Sequence, residues 1–189
     1  MADMLKILFL SNRGLLPIKD GHTRRSFNIL KGLSEYNQIY FLSLYEKPVE
    51  IGQANVEVLK RYCKHVEFYP APKKYLSIQM ISRLIKSLAS PEPYTIWRHY
   101  SESFKNRANE LMTTGKFDIV HCDILPISYT VQDKKDVFRT ITDHDVSYLK
   151  CLRMGQESKN PLLKTFLYSL VYHPLNNEGI VTTIKLKIN

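Results

Sequence analysis

Short apolar runs alternate along the chain with segments whose apolar residues recur at helical spacing. The run Leu5–Leu10 precedes a polar loop and predicts a buried strand. The segment Thr23–Tyr36 predicts an α-helix with Thr23 as its N-cap, and the run Ile39–Leu44 predicts a second strand. The chain therefore opens as strand, helix, strand, which normally gives parallel strands joined by a right-handed crossover.

The same alternation continues beyond the first two strands. It favours an α/β fold with a doubly wound, mainly parallel sheet and helices on both faces, a Rossmann-like arrangement. The predicted strands are Val66–Tyr69, Phe117–Cys122 and Val137–Thr142; the predicted helices are Val56–Tyr62, Leu76–Leu88, Ser101–Met112, Leu149–Met154 and Leu162–Val171, with a short segment at Pro126–Val131.

Composition and charge indicate a single domain that favours anionic partners. With 189 residues and 44% hydrophobic residues, the chain is long enough for one domain with a core. Lys and Arg exceed Asp and Glu by 27 to 18, a net charge of +9, and the stretch Lys60–Lys116 holds 11 of the basic residues against four acidic ones. This excess favours anionic partners such as a membrane surface, while the absence of a recognition motif argues against nucleic acid.

The chain contains no apolar run of about 18 residues, so no membrane-spanning helix is predicted. Its three cysteines form no Cys-x-x-Cys pair, and its start lacks a secretory signal pattern. These features predict a cytoplasmic protein, in contact with the inner face of the membrane at most peripherally. The amphipathic segment Leu76–Leu88 is either such a contact or a helix that covers the sheet.

Polar side chains follow three of the predicted strands, at the edge where open parallel sheets bind ligands. They lie in Asn12–Thr23, at His121 and Asp123, and in Asp143–Asp145, and they could share one cleft. The first loop matches neither the dinucleotide nor the P-loop pattern. Its Gly21 either allows close approach of an anion or serves an ordinary turn.

Two further groups have both a chemical and a structural interpretation. Arg24 could contact phosphate together with Arg25, although arginines in a first helical turn are often only solvated. The aromatic side chains Tyr94, Trp97 and Tyr100 lie beside basic residues, which suits a lipid interface, a sugar ring or packing between elements.

Histidine supplies the strongest candidate chemistry. His144 lies between Asp143 and Asp145, which could orient its imidazole for acid–base catalysis, although a loop histidine is often structural. His121 and Asp123 could join His144 in a metal-dependent hydrolase, but no compact ligand motif supports that reading, and no metal is assigned.

Several segments together resemble the N-terminal half of GT-B glycosyltransferases of family 4, also called group 1. The likeness runs from about Met4 to Val171. Its segments are Met4–Ser11 followed by Pro17 and Asp20-Gly21, then Pro93-Tyr94, Gly115–Asp123, and Thr142–Leu149, which is similar to the family's Thr-Glu-His-Asn-Val-Glu-Tyr segment.

The resemblance implies a Rossmann-like domain that binds the sugar acceptor, either a glycan or a lipid-linked molecule. It implies that His144 is catalytic, that Asp20 and Gly21 lie near the phosphates of a nucleotide-sugar donor, and that no cofactor is tightly bound. Substrate-binding residues would be Arg24, His121, Asp123 and Asp145.

The donor-binding half of that family has no counterpart here. We expect a glycosyltransferase-like domain over residues 1–172 and a divergent tail over 173–189. The chain would then be the acceptor-side domain of a retaining glycosyltransferase, incomplete alone and dependent on a separate donor-binding domain. A non-catalytic binding or partner-regulated module at the membrane surface remains the alternative.

Overall fold

The computed structural model describes residues 4–72, 99–132, 136–142, 153–161 and 164. The chain divides into two units, the first made of Met1–Pro72 and His99–His144, the second of Lys73–Arg98 and Asp145–Asn189. In the second unit, residues 153–157 are helical. The predicted helix Leu76–Leu88 and most of the two predicted helices after residue 148 lie outside the described residues.

The first unit contains a five-stranded sheet in which all neighbouring strands are parallel. The strand order β3-β2-β1-β4-β5 confirms the predicted doubly wound α/β fold. The strands are β1 at Lys6–Ser11, β2 at Gln38–Tyr45, β3 at His65–Pro70, β4 at Ile119–Cys122 and β5 at Phe138–Ile141.

The helices agree with the predicted ones to within a few residues. They are α1 at Gly21–Ser34, α2 at Gln53–Lys60 and α3 at Glu102–Gly115, with 3₁₀ helices at Pro48–Ile51 and Leu125–Thr130. The prediction that Thr23 is the N-cap of α1 was wrong. The N-cap is Asp20, whose side chain accepts from the Thr23 amide. The capping box starts the helix two residues earlier than the apolar spacing indicates.

One face of the sheet forms the main core with α1 and α2. Because side chains alternate along a strand, Ile7 and Phe9 of β1 lie on the same face. They belong to a buried cluster with Phe41 of β2, Leu30 of α1 and Leu59 of α2. The Phe9 and Phe41 ring centroids are 5.9 Å apart.

The helix α3 covers the opposite face. Val66 and Phe68 of β3 pack against the main core, so Glu67 and Tyr69 point the other way. The Tyr69 ring contacts Phe104 of α3 at 6.3 Å between centroids. Helices therefore flank the sheet on both sides.

A bidentate ion pair joins α3 to β3. Arg107 Nη2 lies 2.6 Å from Glu67 Oε1, and its Nε lies 2.9 Å from Oε2. These hydrogen bonds lower the pKa of Glu67 from 4.5 to about 2, and His65 contributes a further, smaller lowering. The pair therefore stabilises the fold only when Glu67 is ionised.

We expect Arg107→Gln to lower the free energy of unfolding at pH 7 by about 1 kcal/mol, since the pair is partly exposed to solvent. The folded-state pKa of Glu67 is depressed, so this contribution is present above about pH 4.5 and is lost as the pH falls toward 2. Urea unfolding of wild type and variant across this range would measure it. Arg61→Gln, which changes an exposed arginine, is the control. A difference that stays constant down to pH 2 would contradict the assignment.

Candidate functional site

The site lies at the carboxyl ends of β1 and β4. In the order β3-β2-β1-β4-β5, the connections reverse direction between these two neighbouring strands. Open α/β sheets bind ligands in the crevice at such a switch point. The chain leaves β1 through Asn12 and the loop that leads to α1, and it leaves β4 through Asp123.

The loop after β1 ends in a carboxylate that caps α1. Asp20 Oδ1 accepts from the Thr23 amide at 2.8 Å, and Thr23 Oγ1 accepts from the Asp20 amide at 3.1 Å. The bond from the Thr23 amide is the main cause of a lowered Asp20 pKa. Arg13 Nη1 lies 2.9 Å from Asp20 Oδ2. A negative charge already compensates the positive end of the helix dipole.

Glu50, from the 3₁₀ helix after β2, anchors the middle of the same loop. Its carboxylate is buried and accepts from Lys19 Nζ at 2.8 Å, from the Glu46 amide at 2.9 Å and from the Gly14 amide at 3.4 Å. A Cβ at Gly14 would lie 2.7 Å from the Glu50 Cβ, so this close approach requires glycine. Glu50 was not predicted from the sequence. Glutamate is usually exposed, and no local pattern indicates that a distant loop will bury this one.

A second buried carboxylate links β4 to β1 and α1. Asp123 is fully buried, and its Oδ2 lies 3.1 Å from Ser11 Oγ and 3.4 Å from His22 Nε2. Arg13 Nη2 lies 3.2 Å from His22 Nδ1. Because a guanidinium can only donate, Nδ1 must accept, and the ring therefore carries its proton on Nε2 and donates it to Asp123. Asp123 thus orients the His22 ring.

His22 is the second residue that sequence reasoning missed. It lies in the first turn of α1, next to Gly21, and nothing in the neighbouring residues distinguishes it from an exposed helical histidine. Its two ring-nitrogen partners, Arg13 and Asp123, lie 9 and 101 positions away in the chain. Of these three residues, only Asp123 could be identified as a candidate from the sequence, because it follows a predicted strand.

His121, a sequence-predicted site residue, lies within the sheet. Its ring is 4.7 Å from Phe9 between centroids, its Nδ1 is 2.9 Å from Thr140 Oγ1, and its Nε2 is 3.2 Å from Thr142 Oγ1. It is buried. These contacts give His121 a role in joining β4 to β5.

The other sequence-predicted site residues are placed as follows. Asp20 and Gly21 lie beside the Asp123 network at the start of α1, and Arg24 lies on the exposed side of that helix. His144 and Asp145, the expected catalytic residue and its neighbour, lie outside the described residues, as do Tyr94 and Trp97. Their roles stay predictions.

One buried polar atom at the site has no partner. Asn12 follows β1 directly and is 4% exposed, and its Oδ1 makes no hydrogen bond. Buried acceptors are nearly always paired, because leaving one unpaired costs roughly 1–3 kcal/mol. An unpaired acceptor at the edge where such sheets bind ligands is the feature of this site that most needs an explanation.

The two cysteines among the described residues are unsuited to nucleophilic chemistry. Cys122 ends β4, and burial raises its pKa to about 12. Burial likewise raises the pKa of Cys63 to about 12. Both thiols therefore stay protonated near neutral pH.

The described part of the chain contains neither a metal-ligand cluster nor a membrane-spanning helix. Among those residues, no three His, Cys, Asp or Glu side chains come together in a group that could hold a metal ion. None of the helices described is both long and apolar enough to cross a bilayer.

Comparisons with known proteins correct the expected family. No protein-family model and no curated protein matches the chain. Among solved structures, the chain is similar to the C-terminal domain of a hydrogenase from Pyrococcus furiosus, with 16% identity, 72% of this chain and 89% of that chain covered, and a TM-score of 0.44. A likeness this distant assigns no activity.

Membership of glycosyltransferase family 4, and the transferase activity it implied, were therefore wrong. No glycosyltransferase model or curated glycosyltransferase matches, and the solved structure described above is named a hydrogenase domain. Two of the segments behind the resemblance, Met4–Ser11 and Gly115–Asp123, contain short apolar strands followed by polar loops, which any parallel α/β sheet requires. The sheet itself shows the α/β fold class, and the comparisons show no family.

Proposed function

We propose that the first unit is a binding module for a small, uncharged, hydroxyl-bearing molecule at the carboxyl edge of β1 and β4. The observation that carries this proposal is the buried, unpaired Oδ1 of Asn12. An amide oxygen accepts hydrogen bonds, so its missing partner must present an O–H or N–H group. A hydroxyl of the ligand, or a water held by it, supplies that donor.

The charges at the site favour an uncharged ligand. The carboxylate of Asp20 is paired with Arg13, and the same guanidinium donates to His22. An anion placed here would meet the carboxylates of Asp20 and Asp123 without gaining an uncommitted cation from these residues. A neutral ligand avoids that repulsion.

The hydrogen bonds also favour binding over catalysis. Both ring nitrogens of His22 have protein partners, so the imidazole has no uncommitted nitrogen in this arrangement with which to move a proton. Ser11 is fully buried, and its Oγ is bonded to Asp123 and to the Arg13 carbonyl. These groups hold the shape of the site.

The substitution Asn12→Ala separates binding from folding. Because Oδ1 bonds to nothing in the protein, we expect Asn12→Ala to lower the free energy of unfolding by no more than about 0.5 kcal/mol. In Asn37, by contrast, Oδ1 accepts from the Leu5 amide and Nδ2 donates to the Leu33 carbonyl, so Asn37→Ala should cost about 1–2 kcal/mol. Urea unfolding of the two variants makes the comparison.

Binding is measured on the full chain by saturation-transfer NMR with D-glucose and adenosine, and with 1,4-dioxane as an ether that has no donor. We expect at least one hydroxylated probe to bind wild type, dioxane to fail, and Asn12→Ala to lose the signal that Asn37→Ala keeps. If no hydroxylated probe binds, or if Asn12→Ala destabilises the protein as much as Asn37→Ala does, the proposal fails.

A further inference from the structure

A groove runs along the solvent-exposed side of α1. Its volume is about 460 Å³, and its lining residues are Gly21, Arg24, Arg25, Asn28 and Ile29. These positions are spaced by three, four, seven and eight residues from Gly21, so the helical repeat places them on one stripe over two turns. The groove therefore belongs to the side of the helix and not to its end alone.

The helix surface beside Gly21 is open. A Cβ built there would meet no atom within 4 Å. The position is helical, so a larger residue can be accommodated without backbone strain. A side chain introduced at position 21 would enter the groove without disturbing the core.

Two guanidinium groups at the groove form no ion pair with other described residues. Arg24 and Arg25 are exposed, and neither guanidinium group has an ion-pair or hydrogen-bond partner among the described residues. The helix Gly21–Ser34 contains no acidic residue. The nearest carboxylate along the chain, Asp20, is already held by Arg13 and the Thr23 amide. Within the described part of the chain, no carboxylate is paired with the positive charge of the groove.

From this arrangement we propose that the groove binds a phosphate monoester. Near pH 7.5 a monoester carries close to two negative charges, which two guanidinium groups balance. Guanidinium forks match phosphate oxygens geometrically, and the Asn28 amide adds a further donor. Ile29 offers an apolar contact for the carbon side of the ester. This inference does not depend on the function proposed above, because the two sites use different residues.

The ester could be a soluble metabolite or a lipid headgroup, and the test separates these sources. Glycerol 3-phosphate is titrated into the full chain and followed by ³¹P NMR. In parallel, the protein is sedimented with phosphatidylcholine vesicles that do or do not contain phosphatidic acid. Binding of glycerol 3-phosphate identifies a soluble ligand, and binding only to vesicles with phosphatidic acid identifies a lipid headgroup; either result supports the phosphate site.

Variants on the same helix then locate the binding. We expect the double variant Arg24→Gln/Arg25→Gln to weaken binding at least about tenfold, and Gly21→Leu to do the same by filling the groove. Lys31→Gln removes an exposed charge elsewhere on α1, and Gly32→Leu adds a side chain where a Cβ would also meet nothing within 4 Å. Both controls should stay within about twofold of wild type.

Any of three results would overturn the proposal. The first is that neither glycerol 3-phosphate nor the phosphatidic acid vesicles bind wild type. The second is that Lys31→Gln weakens binding as much as the double arginine variant, because binding would then follow overall charge. The third is that Gly21→Leu leaves binding unchanged, because the ligand would then not occupy the groove. Circular dichroism of every variant confirms that α1 is intact before binding is compared.

Discussion

Phe9→Ala should lower the free energy of unfolding by about 4 kcal/mol, the largest loss we expect from one substitution. Phe9 is fully buried in the central strand β1, with the rings of Phe41 and His121 on either side at 5.9 and 4.7 Å between centroids. Truncation removes these contacts and leaves a cavity in the main core. Urea unfolding followed by circular dichroism measures the effect.

A milder variant keeps this prediction testable if Phe9→Ala does not fold. Phe9→Leu retains an apolar side chain and should cost about 1–1.5 kcal/mol. Phe138 is 66% exposed at the start of β5, so Phe138→Ala should change stability by less than about 0.5 kcal/mol. Equal losses for Phe9→Ala and Phe138→Ala would contradict the assigned core.

Asp123→Ala should lower the free energy of unfolding by about 3 kcal/mol. The fully buried carboxylate accepts hydrogen bonds from Ser11 and His22, and each bond to a charged group contributes roughly 1.5–3 kcal/mol. Its loss removes the link between β4, β1 and the start of α1. For a chain of this size the change corresponds to a fall in Tm of about 10 °C, measurable by thermal unfolding.

An exposed aspartate provides the control for burial. Asp118 Oδ2 accepts from the Lys6 amide at 2.7 Å at the surface, so Asp118→Ala should cost about 1 kcal/mol. In addition, ¹⁵N NMR of the His22 ring should report the tautomer protonated on Nε2 in wild type and a loss of that preference in Asp123→Ala. If Asp123→Ala costs no more than Asp118→Ala and the His22 signals are unchanged, the network described here does not hold the site.

The two strands β1 and β2 could be predicted from the sequence because they are short and mostly apolar. Ile7–Leu10 and Ile39–Leu44 are largely buried, so they appear as nearly continuous apolar runs that a sequence pattern detects. The parallel, doubly wound arrangement followed from the alternation of elements, whereas the order of the strands was not predicted. The N-cap of α1 was misplaced because Asp20 lies outside the apolar stripe from which the helix was inferred.

Half of the site could not be predicted, because long-range contacts create it. Asp123 was found from its position after β4. His22 and Glu50 acquire their roles from partners that are distant in the sequence and come close only in the folded chain. The Oδ1 atom of Asn12 is unpaired only because the fold buries it. The family resemblance failed for a related reason: the features on which it rested are those that any parallel sheet needs.

The most direct test of the proposed site is an amide chemical-shift map. The full ¹⁵N-labelled chain is titrated with whichever of D-glucose or adenosine gives a saturation-transfer signal. Binding at the carboxyl edge predicts that the largest shifts occur at Asn12, Arg13, His22 and Asp123, and that they vanish in Asn12→Ala. Shifts centred instead on Lys6 and Asp118, at the amino ends of β1 and β4, or no shifts with either probe, would contradict the account.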